Sequence, residues 1–203
     1  MRLRLAGLAI ALFLYPTLIE YFGLTAIPGL LALIVIMLSK LALVGVGMLT
    51  ILAGPAILLC LFSKTRRKYV LKHLGIWVLV MPTLFVSIWL SSRVRHFCFE
   101  QVAIRAKPLI AAIEIYEQKN GHTPSTLEDL VPNYLDKIPS TGLAAYPRFK
   151  YNQREEEMPM LYVPCSISLL NWDIFFYRPS KVYESNEYGG VIERIGDWAY
   201  VHE

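Results

Sequence analysis

Acidic residues are nearly missing from the first half of this 203-residue sequence. Up to Arg95 it holds Glu20 alone against ten lysines and arginines, a balance of +9, whereas the rest holds ten lysines and arginines against fifteen acids, a balance of −5. The overall +4 therefore hides two halves of opposite sign. A basic, apolar first half is what the positive-inside rule expects of a membrane region, so the net charge does not argue for a nucleic-acid partner. Catalytic signatures are missing too: the sequence has no GxSxG, no HExxH, no phosphate-binding loop and no glycine-rich dinucleotide turn. It has three cysteines, without a CxxC or a His/Cys spacing that suggests zinc, and four scattered histidines, His73, His96, His122 and His202. No enzyme activity, cofactor or small-molecule substrate is expected from such a pattern.

What is present is apolar surface. Hydrophobic residues make up 55% of the chain, with the excess in the first 92 residues, and this composition reads as an integral membrane protein. Arg2 and Arg4 precede an apolar run from Leu5 to Phe22, close to the roughly 20 residues a bilayer core requires, and it reads as a retained anchor rather than a cleaved signal. Leu24 to Phe62 is too long for one crossing and barely enough for two. The cations from Lys64 to Lys72 mark residues 63–73 as a cytoplasmic loop, and Leu74 to Ser91 is a clean span with Trp77 and Trp89 near its ends and a kink expected at Pro82. Three spans place the C-terminal half outside the cytoplasm. Four, broken at Ser39-Lys40, would reverse that placement. Three is the reading that keeps the strongest cation cluster inside, with Arg93 and Arg95 at the outer headgroups. Glu20 and Lys40 are the two charges embedded in apolar surroundings. Each is open to three readings: a side chain reaching toward the headgroups, an intramembrane charge pair, or an ion or proton path.

From residue 93 onward the pattern changes. Val102, Ala106, Leu109, Ile110, Ile113 and Tyr116 recur at helical spacing, while Glu100, Lys107, Glu114 and Glu117 occupy the other side, which predicts an amphipathic helix with one face to bury. Asn120-Gly121 suits a left-handed C-terminal cap, and Ser125 with Glu128 forms a capping box opening a short helix before Pro132. Runs rich in Tyr, Phe, Val and Ile come next, at 148–152, 160–163, 172–177, 181–184, 191–194 and 198–201, separated by turn residues, and predict a meander of four to six strands covering the helix. Cys98 and Cys165 are a candidate disulfide if this half is outside the cytoplasm, or else two buried thiols, and Cys60 is a small apolar residue of the membrane half. Glu155-Glu156-Glu157 reads as a solvated loop, with calcium as the weaker alternative.

The order helix, Tyr116, Asn120-Gly121, Thr123-Pro124-Ser125, Leu127 to Pro132, Tyr134-Leu135 and Ile138-Pro139 resembles the globular head of the type II secretion pseudopilins and of the wider type IV pilin-like family. The resemblance covers about 35 residues, and nothing ahead of Ile104 reproduces the family's prepilin peptidase motif. It implies a long helix, embedded in a membrane over its first half, laid against a small antiparallel sheet. The expected fold class is thus an α-helical membrane region of three transmembrane helices, residues 1–92, and a pilin-like extracytoplasmic α+β domain, residues 93–203. The expected function is that of a non-enzymatic protein of the bacterial inner membrane, in contact with the lipid bilayer, whose periplasmic domain binds a protein partner in an envelope or secretion system. A membrane immunity protein that neutralises a secreted toxin is the alternative, and a membrane enzyme using Glu20 or Lys40 a third reading.

Overall fold

The computed structural model describes residues 2–61, 67–153, 161–166, 172–185 and 187–202. Lys64, Arg66, Glu155, Glu156, Glu157 and Met160 lie outside the described residues, as do the side chains of Cys60, His73 and Trp77. Three helices come first: α1 (Arg2–Thr25), α2 (Gly29–Leu61) and α3 (Arg67–Asn120). Five strands come after them, β1 (Lys150–Tyr151), β2 (Leu161–Pro164), β3 (Ile174–Tyr177), β4 (Val191–Ile195) and β5 (Trp198–His202). The chain divides into one compact unit of Met1–Phe22 and Val35–Val94 and another of Gly23–Ile34 and Arg95–Glu203.

The helix boundaries have local causes. Pro28 restricts the residue before it to extended backbone, and Gly29 with φ of 52° turns the chain between α1 and α2. The break therefore falls at Pro28-Gly29, while α2 runs without interruption through Ser39-Lys40. Arg67 to His73, the described part of the segment expected as a loop, belongs to α3. The number of crossings also differs from expectation. Among the described residues one stretch, Gly29–Leu49, is long and apolar enough to span a bilayer, not three.

In the second unit α3 packs on a five-stranded antiparallel sheet, an α+β arrangement. Val102, Ala106, Leu109 and Ile113 are buried, as their spacing requires, whereas Lys107, Glu114 and Glu117 are exposed. The sheet order is β1-β2-β3-β5-β4, so β5 lies between β3 and β4 and the expected simple meander does not form. Strand alternation explains why. Phe175, Tyr177, Trp198 and Tyr200 share the face toward the helix, with Phe99 stacked on Phe175 at 4.8 Å and edge-on to Tyr200 at 4.9 Å. The opposite face presents Phe176, Ala199 and Val201, which also need cover. Tyr183 and Tyr188 provide it, and this is why Lys181 to Glu184 forms no strand and β4 starts far enough on to become the sheet's edge.

A further tie was not legible in the sequence: the Ala145 N–H donates to the Leu24 carbonyl at 3.1 Å, and Leu24 and Ala32 are fully buried, so the turn between α1 and α2 belongs to the second unit.

Candidate functional site

The two cap motifs are placed by short hydrogen bonds. Gly121, with φ of 76°, donates its N–H to the Glu117 carbonyl at 2.8 Å, and Asn120 Nδ2 donates to the Tyr116 carbonyl at 2.8 Å and to Tyr134 Oη at 3.1 Å. The second cap sits one residue later than expected. The short turn Leu127–Leu130 is a 3-10 helix capped by Thr126, whose N–H donates to Asp129 Oδ2 at 2.9 Å, and Ser125 and Glu128 are exposed. Aspartate at the third position does what glutamate does in the longer form of the box, and so the register shifts.

In the first unit Glu20, on α1, is 2% exposed. Ser91 Oγ of α3 donates to its Oε2 at 3.3 Å, and Lys40 Nζ of α2 lies 3.7 Å from the same oxygen. The two charges singled out in the sequence are thus brought together, and a hydroxyl from the third helix joins them. Ser39 and Ser87 are buried as well. Replacing Glu20 by Gln is expected to lower the unfolding free energy of the detergent-solubilised protein by about 1–2 kcal/mol, as measured by SDS titration, with a smaller loss in the Glu20→Gln, Lys40→Met double variant, because one partner is then not left alone.

The second unit holds a buried network that sequence reasoning missed. Arg95, expected at the outer headgroups, is 4% exposed and donates from Nη1 to Tyr200 Oη at 3.3 Å; Tyr200 in turn donates to Asp173 Oδ2 at 3.0 Å. Burial pushes the Tyr200 hydroxyl well above its usual range, against the opposing pull of Arg95, so it stays a donor. Asp173 Oδ1 is buried and has no hydrogen-bond partner among the described residues. Arg93, by contrast, is exposed and lies 5.1 Å over the Trp89 ring. The signal for Arg95 was its spacing: it stands four residues before Phe99 and seven before Val102, on the buried face of α3.

Cys98 and Cys165 are both buried and are not joined by the candidate disulfide. The charged neighbours of the Cys165 thiol are Arg95 and Asp173, and its own N–H donates to the Asp173 carbonyl at 2.9 Å. Burial raises the Cys165 pKa far above that of an ordinary thiol, with Arg95 opposing. In a Cys60→Ser protein, Ellman's reagent is therefore expected to count no fast thiol in the native state at pH 8 and two after denaturation.

Two features lie nearer the surface. His96 Nε2 of α3 is 2.6 Å from Glu193 Oε2, and His202 Nε2 is 3.3 Å from Glu193 Oε1, so one β4 carboxylate joins the helix to the sheet's last strand. No group of three or more His, Cys, Asp or Glu among the described residues is arranged to hold a metal ion. The other is an open groove of about 710 Å³ between the exposed side of α3 and the β4–β5 turn, lined on the helix by Glu100, Ile104, Lys107 and Glu114 and on the far wall by Lys181 and Asp197.

Lys181 Nζ and Asp197 Oδ2 are 2.8 Å apart. This contact holds the lysine above its usual pKa and the aspartate below its own, mainly through the hydrogen bond between them. The aspartate's contribution to stability is full above its unfolded value of about 3.9 and fades as pH falls through its lowered folded value. The lysine's is full below about 10.4 and fades as pH rises through its raised folded value. Lys181→Ala is accordingly expected to lower the centre of the stability–pH curve slightly and to leave its acid and alkaline ends unchanged, as followed by thermal melts.

Compared with known proteins, the chain matches no family model, no curated sequence and no solved structure.

Proposed function

We propose that the protein is a non-enzymatic component of a bacterial inner membrane, anchored by the helices of its first unit and presenting its α+β unit on the periplasmic side to bind another protein. One observation carries the membrane half of this reading: the first unit is inside out. Its buried polar residues include Glu20, Ser39, Ser87 and Ser91, while Leu49, Leu52, Val78 and Phe85 are about 70% exposed. In water such an arrangement leaves large apolar side chains unburied, at a cost of about 1.5–3 kcal/mol for each one that full burial would have stabilised. Hydrocarbon removes that penalty and makes the paired polar interior the favourable one. Arg93 over Trp89 is the combination expected where a helix leaves the hydrocarbon for the headgroups.

The periplasmic side is inferred from the charge asymmetry of the sequence, and an accessory or scaffold role in an envelope or secretion system rests on the pilin-like resemblance together with the order of a long helix on an antiparallel sheet. Binding is favoured over chemistry because, among the described residues of the second unit, buried and interfacial ionisable groups are engaged with one another, as in Arg95–Tyr200–Asp173 and His96–Glu193–His202. Alkaline phosphatase fused after Glu203 is expected to be active in cells, with the second unit degraded by protease added to spheroplasts. An inactive fusion and a protected second unit reverse the topology and end the reading.

A further inference from the structure

The groove along α3 has a defined length, floor and charge pattern. Glu100 and Glu114 are fourteen residues apart on one helix, about 21 Å at 1.5 Å per residue, which matches about six residues of extended chain at 3.3–3.4 Å each. Between them Ala103 and Ala111 are small and Ile104 is 52% exposed, so the helix offers an apolar floor with room above it. The far wall is the β4–β5 turn with Lys181. Its ion pair faces the helix charge for charge: the field of Glu114 reaches Lys181 and that of Lys107 reaches Asp197. Four of the five charges on the two walls are thereby answered within the groove. Glu100, at one end, has no ion pair among the described residues, and the lining as a whole, three acids against two bases, carries −1.

From this pattern we infer that the groove docks an extended segment of about six residues from a partner protein, carrying one lysine or arginine against Glu100 and an apolar side chain over Ile104 and Ala111. The inference rests on the partner-binding reading above and specifies its chemistry. A polyanion such as nucleic acid is disfavoured by the net negative lining, and a compact ligand leaves most of an open 21 Å trough unfilled. Extended backbone suits the site because the opposing charges at its middle are already compensated, so that apolar contact and one charge set the register.

The test is selection of random linear peptides on the full-length protein in nanodiscs, with empty nanodiscs used for subtraction. The expected consensus has one cation spaced a few residues from an apolar side chain. A synthetic consensus peptide should bind at least tenfold more weakly to Ala111→Trp, which fills the floor, and to Glu100→Lys. Exchanging the peptide's cation for glutamate should restore binding to Glu100→Lys. Equal binding to wild type and Ala111→Trp overturns the groove assignment while leaving partner binding elsewhere standing. Failure to enrich any peptide on correctly inserted protein overturns it too, and the anchoring half of the reading is then judged by the fusion experiment alone. Concentration-dependent dimerisation abolished by Ala111→Trp also overturns it, in favour of a second copy of this chain as the occupant.

Discussion

Tyr200→Phe is expected to destabilise the second unit by about 3 kcal/mol or more, although it removes a single oxygen. That oxygen accepts from Arg95 and donates to Asp173, and both charged residues are at least 96% buried. Without it a buried guanidinium and a buried carboxylate each lose a partner that water cannot replace, and Asp173 Oδ1 already has none among the described residues. The penalty comes from the groups left behind more than from the bond itself. Two comparisons make this specific: Arg95→Met combined with Asp173→Leu should cost less than the sum of the single replacements, and Tyr183→Phe, on the opposite face of the sheet, should cost much less than Tyr200→Phe. Denaturant melts followed by circular dichroism provide the measurement. Equal stability of Tyr200→Phe and wild type would mean that Arg95 is hydrated and the network is not closed.

The same residues show where sequence reading reached its limit. The buried face of α3 was visible because Val102, Ala106, Leu109 and Ile113 repeat at helical spacing, and the capped end at Asn120-Gly121 because both bonds are local. Sheet order was not, since it depends on which face of which strand remains uncovered. Phe176, Ala199 and Val201 look like ordinary inward positions until the structure shows a second apolar face needing Tyr183 and Tyr188. Arg95 illustrates a different limit: a cation just past an apolar span is read as a headgroup residue, and only its partners, 78 and 105 positions away in sequence (173 − 95 and 200 − 95), show that it is interior. Glu20 and Lys40 were singled out by their apolar surroundings, but the third member, Ser91, carries no signal in isolation. The groove fared in between. Glu100, Lys107 and Glu114 were legible as the polar side of a helix, whereas the turn that makes that side one wall of a trough could be placed only by the fold.

Phe99→Ala is expected to be the most damaging single replacement on α3. Phe99 is fully buried, stacked on Phe175 and edge-on to Tyr200, so its ring joins the helix to the adjacent strands β3 and β5. Truncation removes that apolar area and leaves a cavity that Phe175, itself stacked on Trp198, can fill only by breaking its own contact. Such losses run to about 3–5 kcal/mol, a large part of the 5–15 kcal/mol that holds a typical domain folded. Ile104, five residues on and 52% exposed, gives the contrast: Ile104→Ala should change stability by less than about 0.5 kcal/mol, and Phe99→Leu should fall between the two. The expected result in limited proteolysis is rapid cleavage of the second unit in Phe99→Ala and wild-type resistance in Ile104→Ala. Because the two positions lie on opposite sides of one helix, equal sensitivity would show that α3 is rotated on the sheet. The groove would then lose its floor along with the core its ring.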